Sequence, residues 1–273
     1  MNKSSFKKFL FNRPIGVFDS GLGGLTVVKA LQRVLPHEAI VYFGDTARVP
    51  YGTKSRAAII RFSKENVRVL MKHRVKMVVV ACNSSSSYAL GHLKKTFDLP
   101  LMGVIEAGVA KALKVTKKNV VGVIATPATI NSGAYARKIK KGRSRIRVVN
   151  QACPLFVPLV EAGWSRKKVA EMIIREYLRP VKKSGADTLI LGCTHYPLLK
   201  PLLRKVLGPR VTLIDSAEEV ALEVQRFLYK IGGTATRRTR CRCRFLVSDT
   251  PSNFSQTAGR FLGFEIKNVR RAQ

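Results

Sequence analysis

Short apolar runs recur along the chain, each closing in turn residues and giving way to apolar positions at helical spacing. The runs at 14–18, 39–43, 78–82, 101–104, 119–125, 145–149, 211–214 and 244–248, with one opening at Asp187, have strand length, and most lack polar alternation. Such runs predict strands buried on both faces. Between them, Val27, Leu31, Val34 and Leu35 fall on one helical stripe, as do Ile60, Val67, Leu70 and Met71. Ser165 predicts a cap for a helix burying Val169, Met172, Ile173 and Tyr177. Ser216-Ala217-Glu218-Glu219 has the form of a capping box ahead of Val220, Val224, Phe227 and Ile231. Strands alternating with helices predict a parallel α/β fold.

Two of these strands end alike. Val78-Val79-Val80-Ala81-Cys82-Asn83-Ser84-Ser85 and Leu189-Ile190-Leu191-Gly192-Cys193-Thr194-His195 both run from apolar residues through a small residue to a cysteine and a hydrogen-bonding side chain. The cysteines lie 111 positions apart. In open α/β sheets the carboxyl ends of strands face the ligand crevice. The pattern predicts two pseudo-symmetric parallel-sheet α/β domains facing each other across an active-site cleft. The expected division is residues 1–104 with 217–273 on the Asp19/Cys82 side, and 105–216 on the Cys193/His195 side.

Composition narrows the class. The chain has 273 residues, 46% of them hydrophobic, and a mean hydropathy of +0.01. No apolar run reaches the roughly 18 residues of a membrane span. The opening residues 1–11 are basic, without a sustained apolar region or a small-residue cleavage site, so a cytoplasmic chain is expected. Five cysteines do not suggest a disulfide framework. Cys153 reads as a buried small hydrophobe, and Cys241-Arg242-Cys243 lacks the second pair that a zinc site needs.

Charge is the outlier. Fifty Lys and Arg against sixteen Asp and Glu give +34, concentrated at 137–147, 237–244 and 267–271. A nucleic-acid footprint is one reading. Without a binding motif or aromatic interleaving, a solvated cationic surface is favoured over it, and either surface would steer anionic substrates.

The chemistry admits several readings. Asp19-Ser20-Gly21-Leu22-Gly23-Gly24 partly matches a dinucleotide turn, with Asp45 as the ribose-binding acid, but Thr26 takes the third glycine's place. Cys193 with His195 could form a nucleophile and base, as in a thiol hydrolase. A redox dithiol is a further option. Cys82 and Cys193 could also act as acid and base on opposite faces of one carbon, which inverts its configuration.

The motifs Phe18-Asp19-Ser20-Gly21-Leu22-Gly23-Gly24-Leu25-Thr26, Gly44-Asp45-Thr46-Ala47-Arg48-Val49-Pro50-Tyr51-Gly52, Ala81-Cys82-Asn83 and Gly192-Cys193-Thr194-His195-Tyr196-Pro197 resemble those of glutamate racemases, in the aspartate/glutamate racemase family. The resemblance runs from about Ile15 to Gly263. It implies cofactor-independent interconversion of L- and D-glutamate, supplying D-glutamate for peptidoglycan, with no metal. By resemblance Cys82 acts on the D-enantiomer's α-proton and Cys193 on the L-enantiomer's. Asp19 and His195 assist the thiols, with Glu161 as a further contributor. Asp19, Ser20, Tyr51, Gly52, Asn83, Ser84, Thr126, Thr129, Thr194 and His195 match substrate-holding positions. A homodimer is compatible with the resemblance. Ser84 stands where the family usually has threonine, which keeps the hydroxyl. The +34 charge is not a family trait.

Overall fold

The computed structural model describes residues 12–235, 242–266 and 268–272. The basic opening, Lys267, Cys241 and most of the 237–244 arginine cluster lie outside the described residues. The first third of the chain folds as β1 (Ile15–Asp19), α1 (Leu25–Val34), β2 (Ile40–Gly44), α2 (Arg56–Lys72), β3 (Met77–Val80), α3 (Asn83–Tyr88), α4 (Leu90–Thr96) and β4 (Leu101–Gly103). Next come α5 (Val104–Val115), β5 (Val120–Ala125), α6 (Pro127–Asn131), α7 (Ala134–Gly142), β6 (Arg147–Ala152), α8 (Phe156–Glu161) and α9 (Lys168–Lys183). The remainder is β7 (Thr188–Gly192), α10 (Lys200–Leu207), β8 (Thr212–Asp215), α11 (Ser216–Lys230), β9 (Cys243–Val247), α12 (Pro251–Leu262) and β10 (Val269–Arg271).

The strands form two sheets, and every pairing is parallel. The first has the order β10-β9-β2-β1-β3-β4, the second β6-β5-β7-β8. The four consecutive strands β2-β1-β3-β4 of the first sheet therefore repeat the order of the second, with β1 matching β5 and β3 matching β7. The central strands β1, β2, β3 and β7 are buried throughout, as their unbroken apolar runs require. The edge strand β6 is mostly half-exposed. In each sheet the chain reverses direction of travel at one strand: β1 lies between β2 and β3, and β5 between β6 and β7. Loops leaving such a switch point diverge and open a crevice. Helices α5 and α11 pack together between the sheets, and α11 also packs on α1, where Gln225 donates to the Val34 carbonyl at 2.6 Å.

Three local expectations are corrected. Helix α9 begins at Lys168, without a Ser165 cap, and buries Ala170, Ile174, Leu178 and Val181. Val169 is 38% and Met172 63% exposed. Apolar residues cover two adjoining stripes of this helix, and the one meeting β6 and α10 carries the small Ala170, which permits close packing. The cap of α11 is Asp215, whose carboxylate accepts from the Ala217 amide at 2.9 Å; Ser216 is already helical. On α2 and α11, Met71 and Ile231 face solvent, each in or beyond the last turn. Beyond residue 248 the chain adds α12 and β10, with Phe254, Ala258, Phe261 and Leu262 buried.

Candidate active site

Between the two sheets lies a cavity of about 360 Å³. The loops after β1 and β3 bring Ser20, Cys82, Asn83 and Ser84 to it, and those after β5 and β7 bring Thr126, Cys193, Thr194 and His195. Both candidate thiols thus line one space, each delivered by a strand at or beside a switch point. Tyr51, Gly52 and Glu161 also line it. Asp19 and Thr129 sit just behind the wall, 0% and 1% exposed. Val49, Pro50, Thr53, Pro127, Pro154, Val157, Pro158 and Gly192 complete the lining. Of these, Thr53, Pro154, Val157 and Pro158 belong to no motif singled out from the sequence, since mostly apolar residues of this kind carry no chemical signature.

Cys82 is the N-cap residue of α3. Its Sγ lies 3.8 Å from the Ser20 hydroxyl. Burial pushes its pKa up to about 12, and the Asp19 charge adds to the shift, against the Ser85 amide and the Ser20 hydroxyl. Burial also raises the Asp19 pKa, opposed by the His195 charge and by the Gly21, Gly24 and Ser20 amides. Gly21 donates to Asp19 Oδ2 at 3.0 Å.

Cys193 has different company. His195 Nδ1 lies 3.8 Å from its Sγ, and His195 Nε2 lies 2.9 Å from Glu161 Oε1. Burial disfavours the imidazolium, but Cys193 and Glu161 outweigh it and push the His195 pKa up to about 10. Thr194 donates to Asp19 Oδ1 at 3.4 Å, and its backbone carbonyl accepts from Thr26 Oγ1 at 3.1 Å. The second motif is thereby fastened to the first.

The halves approach closely at two glycines. A Cβ at Gly23 would stand 2.2 Å from Thr194 Oγ1 and 2.5 Å from His195 Nδ1. At Gly52 it would stand 2.7 Å from Thr126 Cβ. The glycine-rich turn after β1 therefore serves contact between loops. Asp45 is committed elsewhere: it pairs with Arg48 at 2.7 Å and accepts from Ser248 at 2.9 Å and from Tyr51. The Tyr51 hydroxyl also accepts from Asn66 at 3.1 Å. These bonds account for the acid otherwise read as a ribose ligand.

One end of the cavity is rich in hydroxyls. Ser84 Oγ lies 3.1 Å from Thr126 Oγ1 and 3.2 Å from Thr129 Oγ1, which are 3.2 Å apart. Beside them, Asn83 Oδ1 accepts from the Tyr135 hydroxyl at 2.7 Å. Asn83 Nδ2 is buried with no partner among the described residues. An orphaned buried donor costs about 1–3 kcal/mol, which an acceptor on a ligand would recover. Donors gathered in this way suit a carboxylate.

Away from the cavity, Cys243 Sγ accepts from Gln32 Nε2 at 3.1 Å. Among the described residues, no His, Cys, Asp and Glu group is arranged to hold a metal ion. No helix among them is long and apolar enough to cross a membrane.

Comparison with known proteins agrees with this geometry. The glutamate racemase of Geobacter metallireducens is 48% identical over 94% of this chain and 95% of its own. The crystal structure of the RacE1 glutamate racemase isoform from Bacillus anthracis superposes with a TM-score of 0.92 at 39% identity, covering 95% of this chain and 97% of that one. A glutamate racemase from Francisella tularensis, solved in complex with D-glutamate, gives a TM-score of 0.90 at 41% identity, covering 96% and 98%. The family model for Asp/Glu/Hydantoin racemase matches residues 22–224. On this evidence the chain belongs to the Asp/Glu/Hydantoin racemase family.

Proposed function

We propose that this protein is a glutamate racemase that interconverts L- and D-glutamate by proton transfer between two thiols. The observation that carries the reading is the placement of Cys82 and Cys193, on loops of two different sheets, in the wall of one cavity. A thiolate on one side removes the α-proton, leaving a carbanion stabilised by the adjacent carboxylate. The opposite thiol then delivers its own proton to the other face, and the pair exchange protonation states. Cys193 serves the L-enantiomer and Cys82 the D-enantiomer.

Ionisation supports a division of labour in the resting protein. Burial and Asp19 keep Cys82 protonated, its pKa pushed up to about 12. The imidazole of His195, pushed toward its cationic form, sits 3.8 Å from Cys193 Sγ, beside the thiol that takes the proton of L-glutamate. The hydroxyls of Ser84, Thr126 and Thr129 and the Asn83 amide hold a carboxylate. Ser20 and Thr194 line the same cavity and reach the rest of the amino acid, as do the backbones of Tyr51 and Gly52. Residues 1–104 with 217–273 form one domain and 105–216 the other, closing on the substrate. The product's role is as a precursor of peptidoglycan, made in the cytoplasm.

The test is solvent deuterium exchange at the α-carbon, followed by mass spectrometry with no added cofactor, alongside circular dichroism of the amino acid. L-glutamate should gain deuterium and its optical signal should decay to zero. Folded protein that exchanges neither enantiomer would overturn the assignment.

A further inference from the structure

Helix α12 contributes no residue to the cavity wall, yet its last turn touches the His195–Glu161 pair twice. The Phe261 ring, 2% exposed, meets the imidazole edge-on, with centroids 5.3 Å apart at 88°. Arg260 Nη1 donates to the backbone carbonyl of Glu161 at 2.7 Å. Glu161 ends α8, a helix of six residues, where carbonyls lack partners within the helix. The turn that follows is shaped for the guanidinium: Gly163 has φ of +74°, and a Cβ there would stand 3.0 Å from Arg260 Nη1.

A histidine aimed at a thiol must be fixed in both side-chain rotations. His195 has Glu161 on Nε2, Cys193 on the Nδ1 side and Phe261 against its edge. Glu161 itself is 39% exposed along its side chain, so its anchoring depends on the backbone that Arg260 holds. Helix α12 packs on α1 and beside β9 and β10. It is thus carried by the first sheet, while Glu161, at the end of α8, and His195, after β7, belong to the second half. The titratable groups facing His195 are Cys193 and Glu161 from the second half and Asp19 from the first, with the Arg260 guanidinium beyond Glu161.

We propose that Arg260 and Phe261 are positioning residues, through which the first half of the molecule holds the His195–Glu161 pair against Cys193. The proposal rests on the two-thiol reading above and adds a dependence between the halves: the second thiol is tuned by a helix of the first.

The test uses the full chain with Arg260→Ala, Phe261→Leu and, as the conservative change, Arg260→Lys. Leucine keeps apolar bulk, and lysine keeps a donor for the carbonyl. In Arg260→Ala and Phe261→Leu, kcat for glutamate should fall about tenfold with KM nearly unchanged, as expected for loosened positioning. The primary isotope effect with α-deuterated L-glutamate should rise, because removal by Cys193 becomes slower, while that with the D-enantiomer should fall, because reprotonation by Cys193 then limits that direction. Arg260→Lys should recover most of the turnover. A second readout needs no turnover. In a Cys82→Ala background, the pH profile of Cys193 alkylation by iodoacetamide, followed by peptide mass, should move to higher pH in Arg260→Ala and Phe261→Leu. Parental kcat and alkylation in both variants would overturn the proposal, as would isotope effects that change equally for both enantiomers. A parent chain that fails to racemise overturns the proposed function, and the alkylation profile still decides whether α12 positions His195.

Discussion

Cys82 and Cys193 stand after matching strands, β3 and β7, of two sheets that share a four-strand order, yet their neighbours differ in charge. Around Cys82 the polar partners are neutral, the amide and hydroxyl of Ser85 and the hydroxyl of Ser20, and a nearby ionisable group is the carboxyl of Asp19. Around Cys193 it is an imidazole pushed toward its cationic form, backed by Glu161. A repeated fold supplies opposed positions for two like groups, whereas the loops give them different ionic surroundings. For the proposed transfer, in which one thiol gives a proton and the other takes one, that inequality is useful.

The largest expected effect removes the comparison altogether. Cys82→Ala and Cys193→Ala should each lower racemisation by at least about 10³-fold, within the range ascribed to general acid–base groups. Polarimetric rates in both directions provide the measurement, and a variant that keeps parental turnover in either position would end the two-thiol reading.

Next, the neighbours can be exchanged in importance. His195→Asn should cost roughly 10²-fold in kcat/KM, against a smaller loss for Ser20→Ala, which removes only one neutral partner. In the parent, activity that needs the imidazolium should decline as pH rises through about 10, and His195→Asn should lose that limb. Stability follows the same sign. The His195 pKa is raised from 6.5 to about 10, so its contribution is complete below pH 6.5 and lost as pH climbs through 10. Cys82, raised from 9.0 to about 12, likewise favours the folded state below pH 9 and ceases to do so above 12. Denaturant melts at several alkaline pH values would show both.

The smallest effect concerns the seam between the halves. Gly23→Ala sets a methyl 2.2 Å from Thr194 Oγ1 and should destabilise by about 1–3 kcal/mol through overpacking. Gly185→Ala, with nothing within 4 Å of the added carbon but a φ of +71°, isolates backbone strain from crowding. Thermal melting of the two variants should show Gly23→Ala losing turnover as well as stability, and Gly185→Ala losing stability alone.

Much of this was legible in the chain because it is local. A strand that runs directly into Cys82 or Cys193 places its thiol at the strand's carboxyl end regardless of what packs nearby, and alternation of strands with helices predicts parallel sheets. The buried stripe of α9 was not legible, since Val169 and Met172 offered as good a periodicity as Ala170 and Ile174 and only the position of β6 and α10 decided between them. Nor was the commitment of Asp45 to Arg48 and Tyr51, or the contact of Phe261 with His195, across 66 positions. Such pairings depend on topology, which short motifs do not encode.

The strand order has a consequence for the birth of the molecule. Strands β5 to β8 occupy one uninterrupted stretch, Val120 to Asp215, and need nothing later in the chain to complete their sheet. The sheet bearing Cys82 starts first but pairs β2 with β9, joining Ile40 to Cys243. During synthesis from the N-terminus, folding proceeds in units as their segments emerge. The half that begins earlier is therefore the later one to close, and its edge at β2 stays open on the ribosome until the final strands arrive.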